Sequence, residues 1–105
     1  MTDRELLELA ARAAGYIYVE DSFCQREGLM MINFSMWNPL TDDGDAMRLE
    51  IDAQINIEFA FCEDDAPIVI AGDRCNQVQE CLAPDFKANT RRAIVRAAAE
   101  IGKGM

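Results

Sequence analysis

The chain has 105 residues, half of them hydrophobic, and carries 19 acidic against 10 basic residues for a formal net charge of −9. This length fits one domain with a modest core, and the apolar content predicts a folded chain. The acidic balance argues against direct binding of nucleic acid or of anionic membranes, because both depend on clustered Lys and Arg. A basic protein partner, or solubility alone, fits this charge better.

The chain lacks the residue patterns on which most enzymes and metal sites depend. Histidine is absent, so neither His-activated nucleophiles nor His metal ligands are available. The cysteines form no Cys-x-x-Cys pair, and no Gly-rich phosphate loop or nucleophile elbow occurs. These absences predict a non-enzymatic protein with no cofactor or metal. Because we find no secretory signal and no apolar run long enough to cross a membrane, we also expect a cytoplasmic protein with reduced thiols. The four cysteines are Cys24, Cys62, Cys75 and Cys81.

Residues 2–14 are predicted to form an amphipathic helix. Thr2 can serve as the N-cap with Glu5 as its capping-box partner, and Gly15 can end the helix in a left-handed conformation. The apolar residues recur at helical spacing, which is typical of a face that packs on a core. They are Leu6, Leu7, Ala10, Ala11 and Ala14.

Two strands are predicted next, over residues 16–19 and 29–37, with a turn at 26–28. Aromatic and β-branched residues are frequent in both segments. Pro39 closes the second strand, because proline offers no N–H to a sheet. The two strands would form an antiparallel hairpin with one solvated face.

The segment from Met47 to Phe61 alternates between apolar and other residues, which suits either one long strand or a helix followed by a strand. A strand of this length would far exceed the usual five or six residues or so. Helix-start chemistry also favours a helix over residues 42–53, with Thr41 as a possible N-cap and acids in the positive first turn. We therefore predict a helix over residues 42–53 and a strand over residues 55–62.

The remaining chain is predicted to form a second hairpin and a third helix. Glu63, Asp64 and Asp65 form a charged turn before a strand over residues 67–71. Residues 72–84 lack a clear period and are predicted to be a loop with at most a short strand. Asp85 caps a helix that runs to Ile101, where Gly102 stops it. The inward face of this helix consists of Ala93, Ile94, Ala97, Ala98 and Ile101.

The predicted order is therefore α-β-β-α-β-β-α in a single domain of residues 1–105. Consecutive hairpins give a short antiparallel sheet of about four strands, and three helices cover it. This arrangement belongs to the α+β class.

Three stretches of the chain resemble a group of small tailed-phage and prophage proteins: residues 4–11, 37–49 (starting WNPLTDDGDA) and 90–102 (TRRAIVRAAAEIG). The group is similar in layout to the phage ABA-sandwich proteins, whose helices pack on a short antiparallel sheet. The resemblance does not extend to residues 16–36 or 70–82. It implies a phage or prophage origin and the cytoplasm of a bacterial host, and it brings no catalytic residue.

Charge is divided unevenly along the chain. Residues 41–65 hold nine acids against one base, Arg48, whereas residues 87–105 hold five bases against one acid. These regions could neutralise each other within the fold or between subunits. Alternatively, the acidic face could dock onto a basic surface, such as a nucleic-acid-binding groove on a host protein. With the phage resemblance, this second interpretation predicts an inhibitor of a bacterial defence system, of the anti-CRISPR kind. The alternative function is a phage assembly or accessory protein that self-associates, for example as a homodimer.

The candidate partner-binding residues belong to two acidic clusters and one aromatic position, and each has a structural interpretation beside the functional one. The first cluster could simply stabilise a helix N-terminus, and its spacing is too compressed for a calcium loop. The second could be a solvated turn. The tryptophan would contribute to binding only if it is exposed; otherwise it packs in the core. The candidates are Asp42, Asp43, Asp45, Glu63, Asp64, Asp65 and Trp37.

Overall fold

The computed structural model describes residues 2–16, 18–19, 30–32 and 35–105. These segments form three helices and two three-stranded antiparallel sheets, with strand orders β1-β2-β3 and β4-β5-β6. The α+β class and the three predicted helices are confirmed, but four strands were too few for the described residues. The elements are α1 (Asp3–Ala14), β1 (Tyr18–Val19), β2 (Met30–Ile32), β3 (Ser35–Trp37), α2 (Asp43–Asp52), β4 (Asn56–Phe61), β5 (Pro67–Gly72), β6 (Gln77–Cys81) and α3 (Phe86–Lys103).

The predicted strand over residues 29–37 is wrong, because the chain forms two shorter strands there. β2 and β3 pair antiparallel, with Met30 opposite Trp37 and Ile32 opposite Ser35. A period of two cannot distinguish one long strand from two short strands that pair with each other. The turn predicted at residues 26–28 lies outside the described residues.

Helix α1 begins and ends as predicted. The Glu5 backbone N–H donates to Thr2 Oγ1 at 3.2 Å, and the Thr2 hydroxyl in turn donates to the Glu5 carboxylate. Gly15 adopts a left-handed conformation with φ of 77°, and its N–H donates to the carbonyls of the last turn. The stripe of Leu and Ala residues is buried as far as Ala11.

The predicted helix over residues 42–53 is confirmed as α2 (Asp43–Asp52) rather than part of a long strand, but the predicted cap is wrong by one residue. Asp42 is the N-cap of α2, since the Asp45 N–H donates to Asp42 Oδ2 at 2.8 Å. Thr41 instead belongs to the preceding turn, where its hydroxyl donates to the Asn38 carbonyl. Ala46 and Leu49 are buried, so α2 presents a narrow apolar face to the core.

The second sheet contains a strand that was predicted only as part of a loop. β6 occupies residues 77–81, within the segment 72–84, and pairs antiparallel with β5. β4 pairs with β5 in unbroken register from Asn56 opposite Gly72 to Phe61 opposite Pro67. The central strand β5 is therefore paired on both sides, while β4 and β6 are the two edges.

Helix α3 begins at its predicted cap but continues through the glycine expected to stop it. The Ala88 N–H donates to Asp85 Oδ1 at 3.0 Å, and the helix extends to Lys103. A Cβ atom at Gly102 would lie 2.0 Å from the Leu9 carbonyl oxygen. Gly102 therefore permits close contact between α1 and α3. The apolar face of α1 and the alanines of α3 form the centre of the core.

Candidate partner-binding surface

The three acids at the start of α2 are engaged within the fold. Arg48 Nη2 lies 2.7 Å from Asp45 Oδ1 and 3.9 Å from Asp42 Oδ2. Asp45 is also mostly buried and accepts the Asn38 backbone N–H at 3.0 Å. Arg91 of α3 contacts Asp43 at 2.6 Å. These carboxylates therefore organise the helix start and its junction with α3, although Asp42 and Asp43 stay largely exposed.

The second acidic cluster, Glu63, Asp64 and Asp65, lies on the β4–β5 turn and is exposed. Asp64 Oδ1 accepts the Ala66 N–H at 3.3 Å, and Asp65 has a positive φ of 62°. Short polar side chains tolerate this conformation, which accounts for an acid at the tight turn. Within the described ranges, no Lys or Arg forms an ion pair with these three carboxylates.

Trp37 is buried at 5% exposure, so it does not meet the condition for a binding residue. Its ring packs edge-on against Tyr16 with centroids 5.7 Å apart. The Tyr16 hydroxyl donates to Asp52, and burial followed by this hydrogen bond raises the Tyr16 pKa above its ordinary value. Trp37 therefore belongs to a core junction that links the end of α1 to α2.

The basic helix α3 uses most of its charges on acids outside the acidic region 41–65. Arg92 pairs with Asp3 at 3.3 Å and Arg96 with Glu80 at 2.6 Å. Lys103 pairs with Glu100 within the same helix. Among the described residues, Arg91 to Asp43 is the ion pair that joins the two regions. Neutralisation within the fold is thus partial.

An apolar groove of about 390 Å³ lies between α2, β4 and α3. Met47, Phe59 and Phe86 line it and expose 62%, 63% and 51% of their surfaces. Glu50 also lines the groove, where burial raises its pKa above the ordinary value. The alternating apolar series from Met47 to Phe61 is typical of core positions, but Met47 and Phe59 line an exposed groove that this pattern does not predict. No local signal shows that α3 stops short of β4.

The cysteines and acids of the described residues do not form a cluster of candidate metal ligands. Cys62, Cys75 and Cys81 are free thiols, and Cys24 lies outside the described ranges. In the same part of the chain, no three acids or cysteines converge in a metal-binding arrangement. None of the helices described combines the length and apolar character needed to traverse a bilayer.

Comparison of the chain with protein-family models, curated proteins and solved structures gave no match. The resemblance of residues 37–49 and 90–102 to small phage proteins therefore stays a prediction. The function has to be inferred from the charges and surfaces of the chain itself.

Proposed function

We propose that this chain is a small acidic phage or prophage protein that acts by binding a protein of the bacterial host, without catalysis. The observation that carries the proposal is the exposed turn of Glu63, Asp64 and Asp65, which has no basic partner among the described residues. Carboxylates that are unpaired in the free protein can attract a basic surface without first breaking an internal ion pair. Their contribution lies chiefly in faster association and in selection of the partner.

The two acidic clusters contribute unequally in this proposal. A partner that contacts Asp43 has to compete with Arg91, and one that contacts Asp42 has to compete with Arg48. The turn at residues 63–65 is therefore the primary contact, and Asp42 and Asp43 are secondary. Asp45 and Trp37 support the fold and do not contact the partner.

The partner proposed is a host defence complex with a basic nucleic-acid-binding surface, so that the protein acts as an anti-CRISPR-like inhibitor. The carboxylates would occupy positions that phosphates take on such a surface. The phage resemblance at residues 37–49 supports this setting, and the net charge of −9 supports the sign of the contact. A second candidate, self-association as a phage assembly or accessory protein, is favoured by the exposed aromatic residues of β4.

The test is a tagged pull-down from bacterial host lysate, read by mass spectrometry at low and moderate salt. The variant E63K/D65N removes charge from the turn and keeps a residue that tolerates positive φ at position 65. We expect it to weaken capture of a nucleic-acid-handling complex at least about tenfold, and salt to weaken capture by the original chain.

The matched control is E8K/E100Q, which changes the net charge equally at exposed positions on α1 and α3. It should retain capture. If both variants capture the same complex equally well, or if capture is insensitive to salt, the acidic turn is not the contact and the proposal is wrong.

A further inference from the structure

Among the residues that the structure describes, no strand pairs with the outer edge of β4. In an antiparallel pair, successive residues point their backbone N–H and C=O groups to opposite sides. The Cys62 N–H donates to the Ala66 carbonyl at 2.9 Å, so Cys62 and every second residue before it face β5. Ile57, Phe59 and Phe61 therefore direct their backbone groups away from β5, and no described strand pairs with them.

The same three residues present apolar side chains on one face of the sheet. Phe59 lies opposite Val69 of β5, which α3 buries, but Phe59 and Phe61 remain 63% and 73% exposed. Edge strands in soluble proteins usually carry Pro, Lys or a bulge that prevents pairing with another chain. β4 carries no Pro, Lys or bulge, its single charged residue is Glu58, and its register with β5 is unbroken. Its outer edge is therefore only weakly protected against pairing.

We propose that β4 pairs antiparallel with β4 of a second copy of this chain, with Phe59 opposite Phe59 of the second copy. The two three-stranded sheets then form one continuous sheet across a two-fold axis. All three outward-facing residues of each copy obtain backbone hydrogen-bond partners in this arrangement. The inference does not rest on the proposed binding of a host protein.

Charge and polarity select this register. When a two-fold axis runs perpendicular to the sheet, one residue must lie directly opposite the same residue of the second copy. Near the middle of β4 this residue can be Glu58, Phe59 or Ala60. At Glu58 it would oppose two carboxylates, which is destabilising. With the axis at Ala60, the apolar Ile57 would lie opposite the charged Glu63 of the second copy. At Phe59 it places Glu58 opposite Ala60, so that no like charges face each other.

The register also brings the apolar surfaces together. Ile57 lies opposite Phe61 of the second copy, and Ile57 lines the groove between α2, β4 and α3. Phe61 of the second copy can therefore enter the groove beside Met47 and Phe86. These exposed side chains offer roughly 400–500 Å² per copy, against roughly 800 Å² per partner in a standard interface. The paired strands and the margins of the groove contribute further area.

The two acidic turns do not repel each other strongly in this dimer, because they lie at opposite ends of the joined sheet. Asp64 is five residues from the axis at Phe59, and a strand rises about 3.4 Å per residue. The two turns are then roughly 34 Å apart, several times the Debye length of about 8 Å at physiological salt. Each turn stays exposed.

Sedimentation velocity under reducing conditions, from about 1 to 200 µM, provides the first test, and we expect a concentration-dependent dimer. The second test uses the variant N56C, because the register places residue 56 opposite Cys62 of the second copy at a pair without hydrogen bonds. Such pairs have Cα atoms about 4.5 Å apart, within reach of a disulfide. Within one chain the same residues are about 20 Å apart and cannot bond.

With oxidised glutathione as oxidant, N56C should give a covalent dimer on a non-reducing gel. N56C/C62S should not, and the original chain controls for its other cysteines. The charge variants report the register independently: A60K should tighten the dimer and A60E should loosen it, each roughly 3- to 10-fold in Kd, because residue 60 faces Glu58 of the second copy.

Three results would overturn the proposal. One is a monomer throughout the concentration range, and another is equal crosslinking of N56C and N56C/C62S. The third is a dimer that withstands F59K, a substitution that places a charge on the axis and leaves the bonds to β5 intact. Circular dichroism of F59K checks that the monomer still folds.

Discussion

The two edges of the second sheet are protected very differently. At the β6 edge, Arg96 donates to the Gln79 carbonyl at 3.3 Å and pairs with Glu80. By the same alternation, Gln79 is one of the residues whose backbone faces outward there. At the β4 edge, the outward-facing residues include Phe59 and Phe61, and no described side chain is seen to hydrogen-bond to their backbone. One edge is closed by a cation, and the other is apolar and open.

The position of α3 explains this difference. The helix packs over β5 and β6 and delivers Arg96 to the closed edge, but it does not extend over β4. The groove lies where that cover ends. The lesson is that edge protection in this fold depends on the placement of one helix, so variants that move or modify α3 should alter one edge and leave the other unchanged.

The largest effect is expected from G102V, which should displace α3 and so disturb the protection of the β6 edge. Any Cβ at this position would approach the Leu9 carbonyl oxygen to 2.0 Å, and the contact is with rigid backbone. We expect a loss of at least about 3 kcal/mol in the free energy of unfolding, measured by urea denaturation. G104A is the control, since the nearest atom there is 3.6 Å from an added Cβ, and it should change stability by less than about 0.5 kcal/mol. Equal losses would show that α1 and α3 do not touch as described.

The second-largest effect is expected from proline substitutions in β4, whose cost should depend on whether the lost N–H faces β5 or the outer edge. In A60P the ring replaces an N–H that faces β5, so we expect a loss of about 2 kcal/mol or more. In F61P the missing N–H faces the open edge, and the loss in the monomer should be about 1 kcal/mol or less. Denaturation at low protein concentration measures both. If F61P is the more destabilising variant, the assignment of the outward-facing residues is wrong.

A smaller effect is expected from R96M, which should make the closed edge resemble the open one. It removes the contacts to Gln79 and Glu80, both partly solvated, so the expected loss is about 1 kcal/mol by thermal denaturation. Sedimentation should also show new association through β6. R92M, which removes an exposed pair with Asp3, is the matched control and should do neither. Association of R92M alone would contradict the role given to Arg96.

The smallest effect concerns Glu50, in the groove beside β4. Burial raises its pKa above the ordinary value of 4.5, so the folded state holds the proton more tightly than the unfolded state. The resulting stability is fully present below pH 4.5 and is lost as the pH rises through the folded pKa. E50Q should therefore add up to about 0.5 kcal/mol at pH 7 and nothing near pH 3, in denaturation curves at both values. E8Q controls for the loss of an exposed acid. If E50Q raises the free energy of unfolding only at low pH, the expected direction of the pH dependence is wrong.

The sequence predicted those features of the fold that depend on neighbouring residues. Thr2 and Asp85 cap their helices because a side-chain oxygen can reach an N–H three residues later, and that relation is local. The acids after Thr41 likewise favoured a helix over a strand at residues 42–53. The error of one residue at the cap arose because Asn38 engages Thr41 in a turn.

The features that depend on distant residues could not be predicted from the sequence. Gly102 has the local appearance of a helix stop, and only the backbone of Leu9 reveals its role in packing. The alternation in β4 correctly grouped Ile57, Phe59 and Phe61 on one face. Whether that face is covered depends on where α3 ends its contact with the sheet, which no pattern within β4 encodes. The acidic turn at residues 63–65 was predicted as a turn because it is local.

The contact between Leu9 and Gly102 has a consequence for synthesis of the protein. The two residues are 93 positions apart in the chain, so α1 leaves the ribosome long before its partner helix exists. At about 5–20 residues per second, the delay is roughly 5–20 s. During this interval α3 is not yet present to cover the leucines of α1, so their apolar surface is exposed to water. Translation speed, and not only sequence, therefore sets how long this chain is vulnerable to aggregation.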